Sequence, residues 1–167
     1  MKSSVAQCTH LLSLASAVLA DLDDGHLAIE PQPGTKTAGW IIGHLAVTGD
    51  FGRRLCGKPP MCPKEWRGKF NPGSQPSLQE GDYPRMVELC TAFREVYRDL
   101  SAAALDTQTE QLASENPYAP ARDAFPTAGD FVSYLLAGHL AYHLGQLVAW
   151  RAAAGFGRLT RPDTLAA

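Results

Sequence analysis

No two cysteines in this sequence are spaced as CxxC. There are four, Cys8, Cys56, Cys62 and Cys90. The step from Cys56 to Cys62 crosses Gly57, Pro59 and Pro60, which is not a zinc-ribbon spacing. None of the four lies in a recognisable nucleophile motif, so free thiols in a reducing cytoplasm are expected. Basic clusters are missing too. Fifteen Lys and Arg are spread among 17 Asp and Glu, for a net charge of −2. That balance excludes an electrostatic nucleic-acid surface. No stretch alternates like a β-strand, and no internal repeat is visible.

Residues 131–150 contain no Lys, Arg, Asp or Glu. Such a length could span a bilayer. However, it holds two histidines, Gln146, Ser133, two tyrosines and two glycines. A helix buried on most sides is the better reading, and no membrane partner is expected. The first 22 residues have the outline of a signal peptide, but Gln7 and His10 interrupt the apolar run and Asp21, Asp23 and Asp24 follow closely. We read them as an amphipathic helix.

Four helical stretches account for the apolar periodicity, and the fold class is all-α. The first covers about Ser4 to Leu22, with Leu11, Leu14, Ala15, Val18 and Leu22 in one stripe. The second runs from about Ala38 to Cys56 and stops at Gly57, a suitable residue just past a helix end. The third begins near Tyr83–Pro84 and carries Met86, Leu89, Cys90, Phe93, Val96, Tyr97 and Leu100 at i, i+3, i+4, i+7 spacing. The fourth starts near Thr127, whose spacing to Asp130 is that of a capping box, and ends before Gly155. Two long connections, 57–82 and 107–126, separate the later helices. We expect one domain over 1–155, a four-helix bundle with non-trivial topology, followed by a loosely held tail over 156–167.

Three of the five histidines lie at the centre of apolar stripes. At about 100° per residue, His143 falls about 40° from His139, and Gln146 falls about 20° to the other side. Val132, Leu135, Leu136 and Trp150 share that face. On the second helix, His44 is flanked by Trp40, Ile41, Phe51 and Leu55 in the same way. His10 points away from the stripe of its helix, and His26 lies in a polar connection. A buried imidazole costs free energy unless both ring nitrogens find partners. A single core histidine needs only hydrogen bonds. Three, with two at i, i+4, suit a divalent cation held by neutral imidazoles from adjacent helices. Both readings stand at this point. Gln146 could orient a ligand or close the mouth of the core. Trp40 and Trp150 could be core or a platform for substrate.

One catalytic residue is conspicuously absent. HLAYH at 139–143 is not HExxH, because position 140 is Leu. The general base of a zincin protease is therefore missing. No Asp or Glu falls on either histidine face. A cation held by three neutral ligands would keep its charge and lower the pKa of bound water or thiol.

The segments GWIIGHLAVTGDFGRRLCG (39–57) and GHLAYHLGQLVAWRAAAG (138–155) resemble the DinB/YfiT-like family, which has one histidine on its second helix and an HxxxHxGQ-type motif on its last. WRGKFNPGSQP at 66–76 and DYP at 82–84 resemble the DinB-like branch. The likeness in layout covers roughly residues 5–155. It implies an up-down-down-up four-helix bundle, often a homodimer, with Zn²⁺ or Ni²⁺ on His44, His139 and His143. It also implies a small-molecule substrate, by way of relatives that are S-transferases or isomerases using a low-molecular-weight thiol. Others are described as metal-dependent hydrolases. Some members carry an acidic residue where this chain has Leu140. Three functions follow as expectations: thiol S-transfer, hydrolysis by metal-bound water, and a non-catalytic role in which the metal fastens the bundle. The exposed side of the last helix, expected to carry Ala137, Ala141, Leu144 and Val148, would form the dimer contact. Part of 58–76 is expected over the mouth of the site.

Overall fold

The computed structural model describes residues 1–157. Among them the chain is helical, with a single isolated bridge between Glu115 and Thr127 and no strand. The long helical runs are α1 (Lys2–Val18), α2 (Ala38–Leu55) and α4 (Met86–Asp106), together with a last run built of α6 (Ala128–Tyr134), a π-helical turn (Leu135–His139) and α7 (Leu140–Ala153). Two short helices, α3 (Trp66–Phe70) and α5 (Thr109–Leu112), sit in the two long connections. No helix among the described residues is long and apolar enough to cross a membrane.

Local chemistry sets the helix ends. The Thr37 hydroxyl accepts the Trp40 amide at 3.2 Å and opens α2. Gly57, at φ 75°, closes it in the left-handed conformation that a side chain would disfavour. Thr127 and Asp130 make the reciprocal bonds of a capping box at 3.1 and 3.2 Å. The first and third helices differ from the periodicity at their ends. α1 stops at Val18 rather than Leu22, because the buried Arg151 guanidinium takes the Val18 carbonyl at 2.9 Å and pairs with Asp21. α4 begins at Met86, where Asp24 accepts the Met86 amide at 2.6 Å.

α2 packs most extensively on α4 and also against the last helical run. α1 fills the remaining side of that run and touches α4. The core is continuous: Ile41, Leu45, Leu89, Phe93, Tyr97, Leu100, Leu136, Leu140 and Leu147 are all fully buried. The last run is covered by α2 on one side and α1 on another, so its buried arc is wide. Leu144 is therefore buried inside the single chain, contrary to the expected exposed side, whereas Val148 stays 43% exposed. The first residue of the expected tail makes contacts with the body. Phe156 packs edge-on to His26 at 4.9 Å, and the Arg151 guanidinium lies over its ring at 4.5 Å. The remainder of that segment, 158–167, lies outside the described residues.

Candidate metal centre

His44 comes from the middle of α2, His139 from the end of the π-helical turn and His143 from the first turn of α7. All three are buried, and each offers a ring nitrogen, with these atoms all within 4.8 Å of one another. His44 Nε2 and His139 Nε2 are 3.3 Å apart. The ring centroids of His143 lie 4.6 Å from those of His44 and 4.5 Å from those of His139.

The far nitrogens decide which lone pairs face inward. A carbonyl can only accept, so His44 Nδ1 carries the proton it donates to Phe70 O at 2.7 Å. His44 Nε2 is then unprotonated and aimed at the other two rings. His143 Nδ1 donates to Gln146 Oε1 at 2.8 Å, which frees its Nε2 in the same sense. These are the orienting contacts that metal-bound histidines use. His139 departs from the pattern, because its Nδ1 is buried with no hydrogen-bond partner. In a purely hydrogen-bonded core, His139 Nε2–H could serve His44; whether Nε2 donates or binds an ion, the buried Nδ1 has no partner among the described residues, as a lone pair or as an N–H. A cation on the inward nitrogens removes the lone-pair repulsion between His44 and His139. The donor set fits a divalent ion of the kind that takes neutral imidazole.

Burial holds all three rings neutral. His139 is pushed down to about 3, first by loss of solvent and then by repulsion from His143 and His44. His143 is pushed down to about 4 by burial and by His44, with the Gln146 contact opposing. His44 is lowered by burial, with the Phe70 carbonyl opposing and Lys36 adding repulsion. Neutral imidazole is the form that binds a metal.

Trp40 stacks on His44, with centroids 4.6 Å apart and planes 8° from parallel. Its indole N–H donates to Ser74 Oγ at 2.9 Å, and Lys36 Nζ lies 4.2 Å over its ring while bonding Ser74 O. The 66–76 segment is thereby fastened to the start of α2, which carries the Phe70 carbonyl to His44. Trp150 is directed elsewhere: its indole N–H bonds Ile29 O at 2.9 Å. His10 is exposed, and His26 bonds its own turn at Asp23.

A cavity of about 660 Å³ opens beside the triad, with His44 and His139 on its wall. α2 contributes Val47, Thr48, Asp50, Phe51 and Arg54, and the 58–76 segment contributes Arg67, Asn71 and Pro72. Neither Trp40 nor Trp150 lines it. The sequence reading missed the other half of the wall. Tyr118, Pro120, Ala121, Ala124 and Phe125 come from the second connection and meet Phe131 and Tyr134. Tyr118 stacks on Phe131 at 5.6 Å and Phe125 on Tyr134 at 4.3 Å. Tyr134 in turn sets its ring against His139 at 5.7 Å. Fully buried Asn116 ties this connection together, through Phe125 O at 2.9 Å and the Tyr118 amide at 3.0 Å. Two aromatics in a proline-containing stretch, Tyr118 and Phe125, were the available signal.

Asp50 also reaches this wall, although its helical angle seemed to remove it. Its carboxylate is occupied, however. Oδ1 accepts Arg53 Nη1 at 3.0 Å and the Met61 amide at 2.8 Å. Arg53 also holds Asp99 at 2.5 Å and Pro59 O at 2.8 Å. Among the described residues, the cavity therefore has no carboxylate free to act as a base.

Residues 7–147 match the family described as the DinB superfamily. No curated protein and no solved structure matches the chain.

Proposed function

The chain belongs to the DinB superfamily, and on that premise we propose a metal-dependent enzyme that acts on a small molecule, of the thiol S-transferase type. The observation that carries this reading is the convergence of three neutral imidazoles at one end of an aromatic-walled cavity. His44, His139 and His143 would hold one divalent ion, Zn²⁺ or Ni²⁺. When bound, such an ion is a Lewis acid that lowers the proton affinity of a thiol or of water. The chain's own residues do the rest. The Phe70 carbonyl and Gln146 fix two of the rings. Phe51, Tyr118, Phe125 and Phe131 take up an apolar body and keep water from it. Asp50 is held by Arg53 and leaves no protein carboxylate to accept a proton. A thiol made acidic by the ion needs no such base, and that favours S-transfer.

Two other readings differ in kind. Hydrolysis through activated water uses the same ligands. A structural ion would fasten α2 to the last helix without chemistry. The cavity beside His44 and His139 favours the catalytic readings, because a purely structural ion needs no access. We also take the four long helical runs as an up-down-down-up bundle. A homodimer formed through the exposed side of the last helix belongs to the same proposal, with Val148 and Ala141 now its apolar members. A monomer in sedimentation at micromolar concentration would overturn that part. Cytoplasmic action is supported by four buried, unpaired cysteines.

The test is metal analysis of untagged protein, followed by calorimetric titration of the metal-loaded form with a low-molecular-weight thiol such as glutathione or cysteine. Near-stoichiometric metal with thiol binding supports S-transfer. Metal without thiol binding, but with esterase or amidase activity, supports hydrolysis. Metal with neither supports the structural reading, and no metal sinks all three.

A further inference from the structure

Two arginines line the cavity and neither has an ionic partner among the described residues. Arg54 lies on α2, ten positions beyond His44, or roughly 15 Å along the helix. Its guanidinium sits 5.0 Å over the ring of Phe51, itself a wall residue. Arg67 lies on α3, three positions before the residue whose carbonyl orients His44. Both are half-buried. The ion pairs of the described residues use Arg53, Arg85, Arg122 and Arg151, and none uses Arg54 or Arg67.

The contrast with Arg53 is informative. Its guanidinium is buried between Asp50, Asp99 and Pro59 O, so its charge is spent on the protein. The one carboxylate on the cavity wall, Asp50, is paired with that same group, which it shares with Asp99. The wall therefore carries two guanidinium groups with no ionic partner among the described residues, in a chain whose net charge is −2. Both line the cavity, and a guanidinium is a planar N–H fork, the geometry that receives a carboxylate. The rest of the wall is mostly apolar and aromatic. Such a cleft concentrates organic anions.

We propose that Arg54 and Arg67 form the anion-binding part of this cavity, and that its ligand is a carboxylic acid with an apolar, aromatic-sized body. The carboxylate meets the arginines, the body lies against Phe51, Tyr118 and Phe131, and the reacting end extends toward His44 and His139. This deepens the enzymatic reading and rests on it for the chemistry, but not for binding. The recognition itself needs no metal.

The test uses the full chain stripped of metal by a chelator, so that a carboxylate has no ion to bind. Calorimetry compares 4-phenylbutyrate with its neutral amide, 4-phenylbutanamide. The acid is expected to bind about tenfold more tightly. That preference should shrink as salt rises from about 50 to about 500 mM, because screening acts only on the acid. R54Q and R67Q should each lose several-fold in acid affinity, and the double variant should lose the preference while binding the amide as the wild type does. Unchanged amide binding also serves as the check that the variants fold. Equal affinity for acid and amide in the wild type, or no binding of either, would overturn the proposal. So would a preference that survives in the double variant. H143A, at the one triad residue that does not line the cavity, separates the two readings: it should lose metal yet keep the preference for the acid. An acid preference in a wild type that binds no metal would sink the metal reading alone.

Discussion

His44 Nε2 faces His139 Nε2 across 3.3 Å, although 95 positions of chain separate them. The His44 proton is committed on the other side of the ring, to Phe70 O. Two neutral rings are thus brought together with at least one lone pair turned inward, at a place where water is largely excluded. With both inward nitrogens unprotonated that relationship is repulsive, and a cation between them would relieve it.

Replacing any of the three ligands follows directly. His44→Ala, His139→Ala and His143→Ala should each lower metal content well below one ion per chain, measured by elemental analysis of untagged protein. His10→Ala and His26→Ala, which alter residues at or near the surface, should leave it unchanged. Full stoichiometry in the triple alanine variant would remove the site from these residues.

Gln146 is expected to act through His143. Gln146→Ala removes the acceptor of the His143 Nδ1 proton and should weaken metal binding by about 10- to 100-fold. A chelator competition titration reads this, and Gln146→Glu, which keeps an acceptor, should retain most of the affinity. If alanine and glutamate behave alike, the contact does not orient the ligand.

Acid should destabilise the metal-free protein through the same rings. In the unfolded chain histidine takes up a proton near 6.5, whereas in the folded chain His139 resists until about 3 and His143 until about 4. Between those limits the unfolded state binds more protons, so stability falls as pH falls below about 6.5 and is fully present above it. The slope is at most about 1.4 kcal/mol per pH unit for each such histidine. Urea denaturation of chelator-treated protein at pH 7.5 and 5 measures it. A smaller pH dependence in the His139→Ala, His143→Ala double variant is the expected signature. Metal-loaded protein should release its ion over the same range, since protons compete for the ligand nitrogens.

Gly43 is the place where one methyl group should disturb both packing and site. A Cβ there would lie 2.6 Å from the Phe70 ring, too close for van der Waals contact. Gly43→Ala should force Phe70 outward and stretch the bond from His44 to its carbonyl. A loss of about 1–3 kcal/mol in unfolding free energy is expected, with weaker metal binding alongside. Wild-type melting and wild-type metal affinity together would show that the 66–76 segment yields freely.

Helical period alone determined much of this protein. Spacing put His44, His139 and His143 on the buried stripes of two helices, because side chains three or four apart share one face wherever the helix docks. Short-range chemistry likewise marked Thr127 as a helix start and Gly57 as a helix end, since caps depend on residues within one turn. Periodicity cannot say which buried faces meet. The approach of α2 to the last helix, the Phe70 carbonyl beneath His44 and the aromatic wall from the second connection all depend on contacts between segments far apart in the chain. The π-helical turn at Leu135–His139 was equally illegible, because a fixed angle per residue assumes unbroken α-geometry. Leu144, counted as exposed on the wheel, is buried because α1 covers a second side of its helix. Asp50 shows the same division: the helical angle described its direction and local spacing set Arg53 three positions on, but only the fold brought up the Met61 amide that also binds its carboxylate.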